Sequence, residues 1–429
     1  MNPHLKLLQQ YESRNITHLA EDDSWPIVWE RAKGVHVWDT EGKKYLDLTG
    51  AFAVAATGHT NPRVTKAGQA QLAKLPHAMG DVHPHPLKGQ LARELSKLTF
   101  ERWARTEFRH VHYRCLPRHG KTIFCNSGFE AVEAALKTAH LATGKPDVIA
   151  LEGAYHGLGY GALSTTHRQL FHGPFKKQLG KFGHFAPFPA DDGAIDATVT
   201  HIKKLFKKHV IGAVLAEPIQ GRAGIREVPM KLIGQLRALC DQHHALLIFD
   251  EIYTGFGRTG EWFATDGGLF YPDLICLGKA LTNGFPLSAC VGRATVMDRA
   301  WPASEGEAIH TSTFLGHPVG CAMALAQLKE LKEKKLITRA RRLGKKFKTM
   351  CNHIGIPGAH YVGRGLMAGL AFDDSDGPRV MAAVKAMLQR GYILLPAGEH
   401  GQVIAFSPPL TITEKQLEST LATLKKVMT

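Results

Sequence analysis

At 429 residues the chain is long for one hydrophobic core, which favours a large α/β unit with a smaller companion. Its hydrophobic fraction of 44% and charged fraction of 21% are those of a globular protein, and no apolar run approaches the roughly 20 residues a membrane span requires, so a membrane role is not expected. The net charge of +15 raises nucleic acid as a partner. The basic clusters, Lys203-Lys204 with Lys207-Lys208, Lys332 to Lys335, and Arg341-Arg342 with Lys345-Lys346, each accompany apolar residues at helical spacing. Solvated helix faces account for them, no recognised binding module accompanies the charge, and no nucleic-acid partner is expected.

In chain order, Met1-Asn2-Pro3-His4-Leu5-Lys6 lacks the apolar core of a secretory signal, and cytoplasmic residence is expected. A short helix is followed by two strands, Gly34 to Asp39 and Lys44 to Leu48, joined by the turn Thr40-Glu41-Gly42. Between about 120 and 295, apolar runs alternate with amphipathic stretches. Strands are expected at Thr122 to Cys125, Val148 to Leu151, Ile211 to Ala216, Leu246 to Phe249, Leu274 to Leu277 and Leu287 to Val291. Helices are expected over 129–141, 194–208, 229–243, 318–333 and 335–352. Apolar strands alternating with helices imply a mostly parallel sheet covered on both faces.

The last hundred residues read as an α+β unit: Gly365 to Phe372, a helix near 378–390, Ile393 to Leu395, Val403 to Phe406 and a final helix from 413. The N-terminal segment is too small to bury its own core, so it is expected to join this unit. Residues 1–60 and 326–429 would then form the small domain, and 61–325 the large one. Seven cysteines, at 115, 125, 240, 276, 290, 321 and 351, form no CxxC pair and are expected as reduced thiols.

Two short motifs are misleading. Gly255-Phe256-Gly257-Arg258-Thr259-Gly260 is a literal GxGxxG after an apolar strand, yet the next residues, Glu261-Trp262-Phe263-Ala264, are a poor helix start, and no acidic residue stands where ribose would be bound. Gly120-Lys121-Thr122 resembles the tail of a P-loop, but Cys115 occupies the position of its first glycine. The 24 histidines, His83, His85, His243 and His244 among them, include no HExxH or paired ligand spacing, and no metal is expected.

Three strand ends carry more chemistry. Phe124-Cys125-Asn126-Ser127-Gly128-Phe129-Glu130 leads into a helix whose free N–H groups suit a phosphate; an ordinary capping box, Ser127-x-x-Glu130, uses the same donors. Leu247-Ile248-Phe249-Asp250-Glu251 places a carboxylate at the edge where ligands bind in doubly wound sheets. It could hold a cofactor ring nitrogen protonated, cap a helix or bind magnesium. Leu274-Ile275-Cys276-Leu277-Gly278-Lys279-Ala280 puts a lysine after another apolar strand, where desolvation makes an amine nucleophilic, although a lone lysine there commonly snorkels to solvent.

Taken together, Asp250-Glu251-Ile252, Thr254-Gly255-Phe256-Gly257-Arg258-Thr259-Gly260, Pro272-Asp273 and Leu277-Gly278-Lys279-Ala280 with Gly284 resemble the class III aminotransferases, pyridoxal 5'-phosphate (PLP) enzymes of fold type I, over nearly the whole chain. The resemblance implies that Lys279 holds the cofactor as a Schiff base and shuttles a proton, and that Asp250 pairs with the pyridinium nitrogen. It further implies a phosphate cradle at Ser127, Gly128 and Phe129, a ring-stacking Tyr155 beside His156, and a homodimer in which Thr313 reaches the neighbouring subunit's phosphate. Glu217, in Ala216-Glu217-Pro218-Ile219-Gln220-Gly221, matches a motif close to the site and is a candidate on the substrate side.

Three departures bear on substrate. Many relatives have Gln at Tyr253, bonded to the ring oxygen, and a tyrosine hydroxyl there is a candidate for the same bond. Relatives that process glutamate often have Glu where this chain has Arg222, and relatives commonly have an Arg carboxylate clamp at the position of Ala405. Arg222 is therefore expected to supply the missing charge. The expected reaction moves an amino group from a primary amine or ω-amino acid to an oxo acid. Racemase, aminomutase or amino-alcohol-phosphate lyase chemistry is the alternative within the family, and a basic binding protein on an inactive scaffold is the alternative outside it.

Overall fold

The computed structural model describes residues 2–22, 24–107, 118–268 and 270–429. Cys115, and with it the missing first glycine of a P-loop, lies outside the described residues. A seven-stranded sheet runs in the order Gly120–Cys125, Ser288–Arg293, Leu274–Leu277, Leu246–Asp250, Ile211–Ala216, Asp147–Leu151 and Gly183–Ala186. Ser288–Arg293 is antiparallel to both neighbours, and the remaining pairs are parallel.

The burial of successive side chains explains the arrangement. Val214, Ala216, Leu247 and Phe249 face one apolar layer with Ile202, Phe206, Leu232 and Leu236. Their neighbours Ala213, Leu215 and Ile248 face the opposite layer with Ala131, Ala135 and Leu136. Alternation with both sides apolar requires helices on both faces, here Ile195–Lys208 and Met230–Gln242 against Gly128–Thr143. The lysines of Ile195–Lys208 lie on its exposed face, and Ile202 and Phe206 are buried.

The two ends of the chain share a sheet. Trp29–Lys33, His36–Asp39 and Lys44–Asp47 continue into Tyr392–Ile393, which pairs in parallel with Lys44–Asp47. A second small sheet orders His360–Arg364, Met367–Ala371, Val403–Phe406 and Leu395–Ala397. The run read as one strand at 393–395 is thus divided at buried Leu394, one half pairing in each sheet. Trp29–Lys33, Gly183–Ala186 and His360–Arg364 had no counterpart in the expected strands. All three lie at sheet edges, where exposure weakens the apolar pattern. The six described cysteines are buried and unbridged, and no helix among the described residues is long and apolar enough to cross a membrane.

The GxGxxG segment turns out to be a packing device. A Cβ on Gly257 would lie 2.9 Å from Ile337, and one on Gly260 would lie 2.8 Å from the Cα of Arg341. Both neighbours belong to the helix Leu336–Asn352, which the loop could not approach with side chains in between. Arg258, buried in the same loop, donates to the carbonyls of Leu366 and Pro408. Gly365 closes the contact from the other side: its φ is +65°, and a Cβ there would lie 2.4 Å from the carbonyl carbon of Thr259. Gly365→Ala is expected to cost about 1–3 kcal/mol by urea unfolding. Gly89→Ala, at an exposed position of the helix Pro86–Leu98 with nothing within 4 Å of an added Cβ, should be neutral or gain about 0.5–1 kcal/mol.

Candidate active site

Ser127, Tyr155, Glu217, Asp250 and Lys279 follow five different strands, all at the same edge of the large sheet. The strand Leu274–Leu277 is buried throughout and delivers Lys279 to this edge at φ +42°, a left-handed conformation that is strained for a side chain of this size. Its Nζ lies 4.9 Å from the centroid of the Tyr253 ring. Burial pulls the pKa of the amine down, Asp250 and Glu217 pull it up, and Arg222 presses it down again. The net shift is downward, which favours the uncharged amine that can act as nucleophile and proton acceptor.

Asp250 is buried and held from two sides. Its Oδ2 lies 2.9 Å from His156 Nδ1, and its Oδ1 accepts the Ile252 N–H at 3.1 Å. His156 is buried in turn, its backbone N–H donating to Thr166 Oγ1 at 3.0 Å, and its Nε2 has no partner among the described residues. Glu217 Oε1 accepts the Tyr155 N–H at 2.9 Å and Oε2 the Gly221 N–H at 3.2 Å. Burial pushes the Glu217 carboxyl up to about 7, with His156 opposing and Asp250 adding to the rise.

Above these groups, Tyr155 meets Phe171 edge to face at 5.4 Å between ring centroids. The Arg222 guanidinium sits 4.8 Å over the Tyr155 ring and 5.7 Å over Phe171, with its side chain otherwise exposed. Tyr253 donates its hydroxyl to Ser407 Oγ at 3.1 Å, and Ser407 donates to the Thr49 carbonyl at 2.8 Å. The hydroxyl is therefore committed to Ser407, and the face of the ring is what meets Lys279. Ala405 packs in the same apolar group as Tyr253.

At the helix start at Ser127 the capping box is half made. Glu130 accepts the N–H groups of Asn126 at 2.8 Å and Ser127 at 2.7 Å, which is the carboxylate half of a capping box. The other half is not made: Ser127 Oγ is buried and has no partner among the described residues. Ser288 Oγ donates to the Ser127 carbonyl at 2.5 Å and fixes the turn. An orphaned hydroxyl beside the first N–H groups of a 16-residue helix fits the phosphate of PLP. Lys279, Asp250 and the unpartnered His156 Nε2 supply the amine and buried polar groups for the rest of the cofactor. Thr313 stays exposed, on a segment whose neighbouring Ser312 Oγ accepts from Asn126 Nδ2 of this turn at 3.4 Å. Phe171, Ser288 and Ser407 were not singled out from the sequence. Ser407 stands two residues after Ala405, Ser288 in an expected strand and Phe171 in no motif, and only folding brings them to the site.

A mostly parallel sheet with a desolvated lysine, a buried aspartate and an anion cradle at one edge defines a PLP enzyme of fold type I. The chain matches the family described as Aminotransferase class-III over residues 18–428, and it belongs to that family. It is 36% identical over 419 residues to 5-aminovalerate aminotransferase of Pseudomonas aeruginosa, covering 93% of this chain and 92% of that one. Acetylornithine aminotransferase of Methanosarcina mazei is 34% identical over 412 residues, covering 94% and 91%. Among solved structures, a PLP-bound amine transaminase from an uncultivated Pseudomonas species superposes with a TM-score of 0.83 at 26% identity and 98% coverage of each chain. The protein is accordingly a PLP-dependent aminotransferase.

The raised Glu217 pKa has a consequence for stability. Because the folded protein holds this proton more tightly than the unfolded chain does, the Glu217 contribution is present in full below the ordinary value of 4.5 and is lost as pH rises through about 7. Urea unfolding of the cofactor-free protein across that window should show stability falling with pH, and Glu217→Gln should remove this part of the slope.

Proposed function

We propose that this enzyme transfers the amino group of an ω-amino acid or primary amine to an oxo acid in the cytoplasm, as a homodimer, with Lys279 as the covalent cofactor residue. The observation that carries the reading is the Lys279 amine, desolvated against the Tyr253 ring and within the fields of Asp250, Glu217 and Arg222. When bound, PLP supplies an electron sink that makes the C–H bond at the donor's amino carbon acidic. Lys279 Nζ, its pKa lowered chiefly by burial, would be the group that accepts and returns that proton.

Asp250 would pair with the ring nitrogen, and His156 fixes the carboxylate's orientation through its Nδ1 contact. The Ser127 hydroxyl and the N–H groups of Gly128 and Phe129 would anchor the phosphate, and the partner subunit's Thr313 would complete the cradle. Tyr155 would stack on the ring. Tyr253 shields the amine with its face, and its hydroxyl stays on Ser407. Glu217 serves the substrate side by holding the Tyr155 and Gly221 backbone, and so the turn that carries Arg222.

Arg222 provides the positive charge for a substrate carboxylate that Ala405 cannot provide. Its guanidinium is exposed at the mouth of the site and steadied by two aromatic faces. A carboxylate there and an amine at Lys279 suit a donor with its charges at opposite ends, in keeping with the relative named for 5-aminovalerate.

Mixing the cofactor-loaded enzyme with single donors, no acceptor present, should convert the bound cofactor to its amine form with ω-amino acids. Turnover without that conversion would point instead to racemase or lyase chemistry. Arg222→Ala should raise KM for carboxylate-bearing donors roughly 10–100-fold and leave simple amines little changed, since a charge-assisted contact is worth about 1.5–3 kcal/mol. Equal KM values for the parent and the variant would remove Arg222 from the site.

A further inference from the structure

Asp147, His184 and His209 meet at the opposite end of the same sheet. Asp147 opens the strand Asp147–Leu151, whose far end leads to Tyr155; His184 lies on the edge strand Gly183–Ala186, paired alongside it; His209 ends the helix Ile195–Lys208. Five residues of strand put this cluster about 16 Å from the cofactor edge. One nitrogen from each histidine and one carboxylate oxygen lie within 4.8 Å of one another.

His184 Nε2 and Asp147 Oδ1 are 3.6 Å apart, and Nε2 is buried without a hydrogen-bond partner among the described residues. Two ligands of a tetrahedral zinc ion, each bonded at about 2.1 Å, sit about 3.4 Å apart. The His184 and His209 rings are stacked, 3.7 Å between centroids and 28° between planes, which keeps the two imidazoles side by side next to Asp147; a turn of one ring brings both nitrogens to bear on one ion. Asp147 is held in place by its other oxygen, Oδ2, which accepts the Val210 N–H at 3.1 Å.

We propose that Asp147, His184 and His209 form a binding site for a divalent transition-metal ion, zinc by preference, with water completing the coordination. Two imidazoles and a carboxylate are the donor set of three-residue zinc sites, and borderline-soft ions outcompete calcium and magnesium on such nitrogens. The ion would tie the edge strand, its neighbour and the end of a covering helix together. It would bind independently of the cofactor.

The test is equilibrium dialysis of the cofactor-loaded full chain, first stripped with a chelator, against micromolar zinc chloride. The parent should retain about one equivalent per chain more than His184→Gln, His209→Gln or Asp147→Asn, because each removes one ligand. Cobalt in place of zinc should give visible d–d absorption that the variants lack, and the cofactor spectrum should not move. His209 is half-exposed at a helix end, so its variant remains informative if the His184 variant folds poorly. Equal metal content in the parent and the His209 variant, or none in the parent, overturns the proposal.

Discussion

The site depends on keeping one ammonium group out of water. Lys279 follows a strand with no exposed residue, and the neighbouring strand delivers Asp250, so the amine is fixed by the most rigid part of the molecule. Desolvation alone would favour the neutral amine at the expense of any charged state. The nearby carboxylates restore part of that balance, and the result is a group that can change protonation during a catalytic cycle. The strained φ at Lys279 belongs to the same design: the surrounding backbone imposes a conformation the residue does not prefer, and the amine's direction is set before substrate arrives.

The other parts serve that lysine from different strands. Asp250 would be a poor partner for a ring nitrogen if it could rotate, and His156 and the Ile252 N–H prevent this. The two ends of the chain connect to the site through Tyr253, whose hydroxyl reaches Ser407 and, through it, Thr49. That chain of bonds links the ring facing the lysine to both ends of the polypeptide. The pairing of Lys44–Asp47 with Tyr392–Ile393 is what brings those ends together.

Much of the chemistry was legible in the sequence because it sits where strands end. Asp250 and Lys279 follow apolar runs whose length and composition mark buried parallel strands, and folding adds only the detail of their partners. The Ser127 turn could be read two ways, since a capping box and a phosphate cradle use the same residue types. The orphaned hydroxyl separates them, and an orphan is a property of coordinates alone. Tyr253 shows the limit from the other direction: its ring faces Lys279, but its hydroxyl turns to Ser407, a choice that long-range packing makes. Phe171 and Ser288 carry no local pattern, and Asp147, His184 and His209 are too far apart in sequence for any ligand spacing to show. The sheet edges were lost for a related reason, since exposed strands such as Trp29–Lys33 lack the apolar run that identifies buried ones.

One measurement bears on the role of Lys279 more directly than any rate. The enzyme loaded with PLP is treated with borohydride, digested, and its peptides mapped for the pyridoxyl group by mass spectrometry. The label is predicted on the peptide carrying Lys279, with its loss from that site in Lys279→Ala. A label confined to other lysines, or no stable label at all, would contradict a Schiff base at this residue.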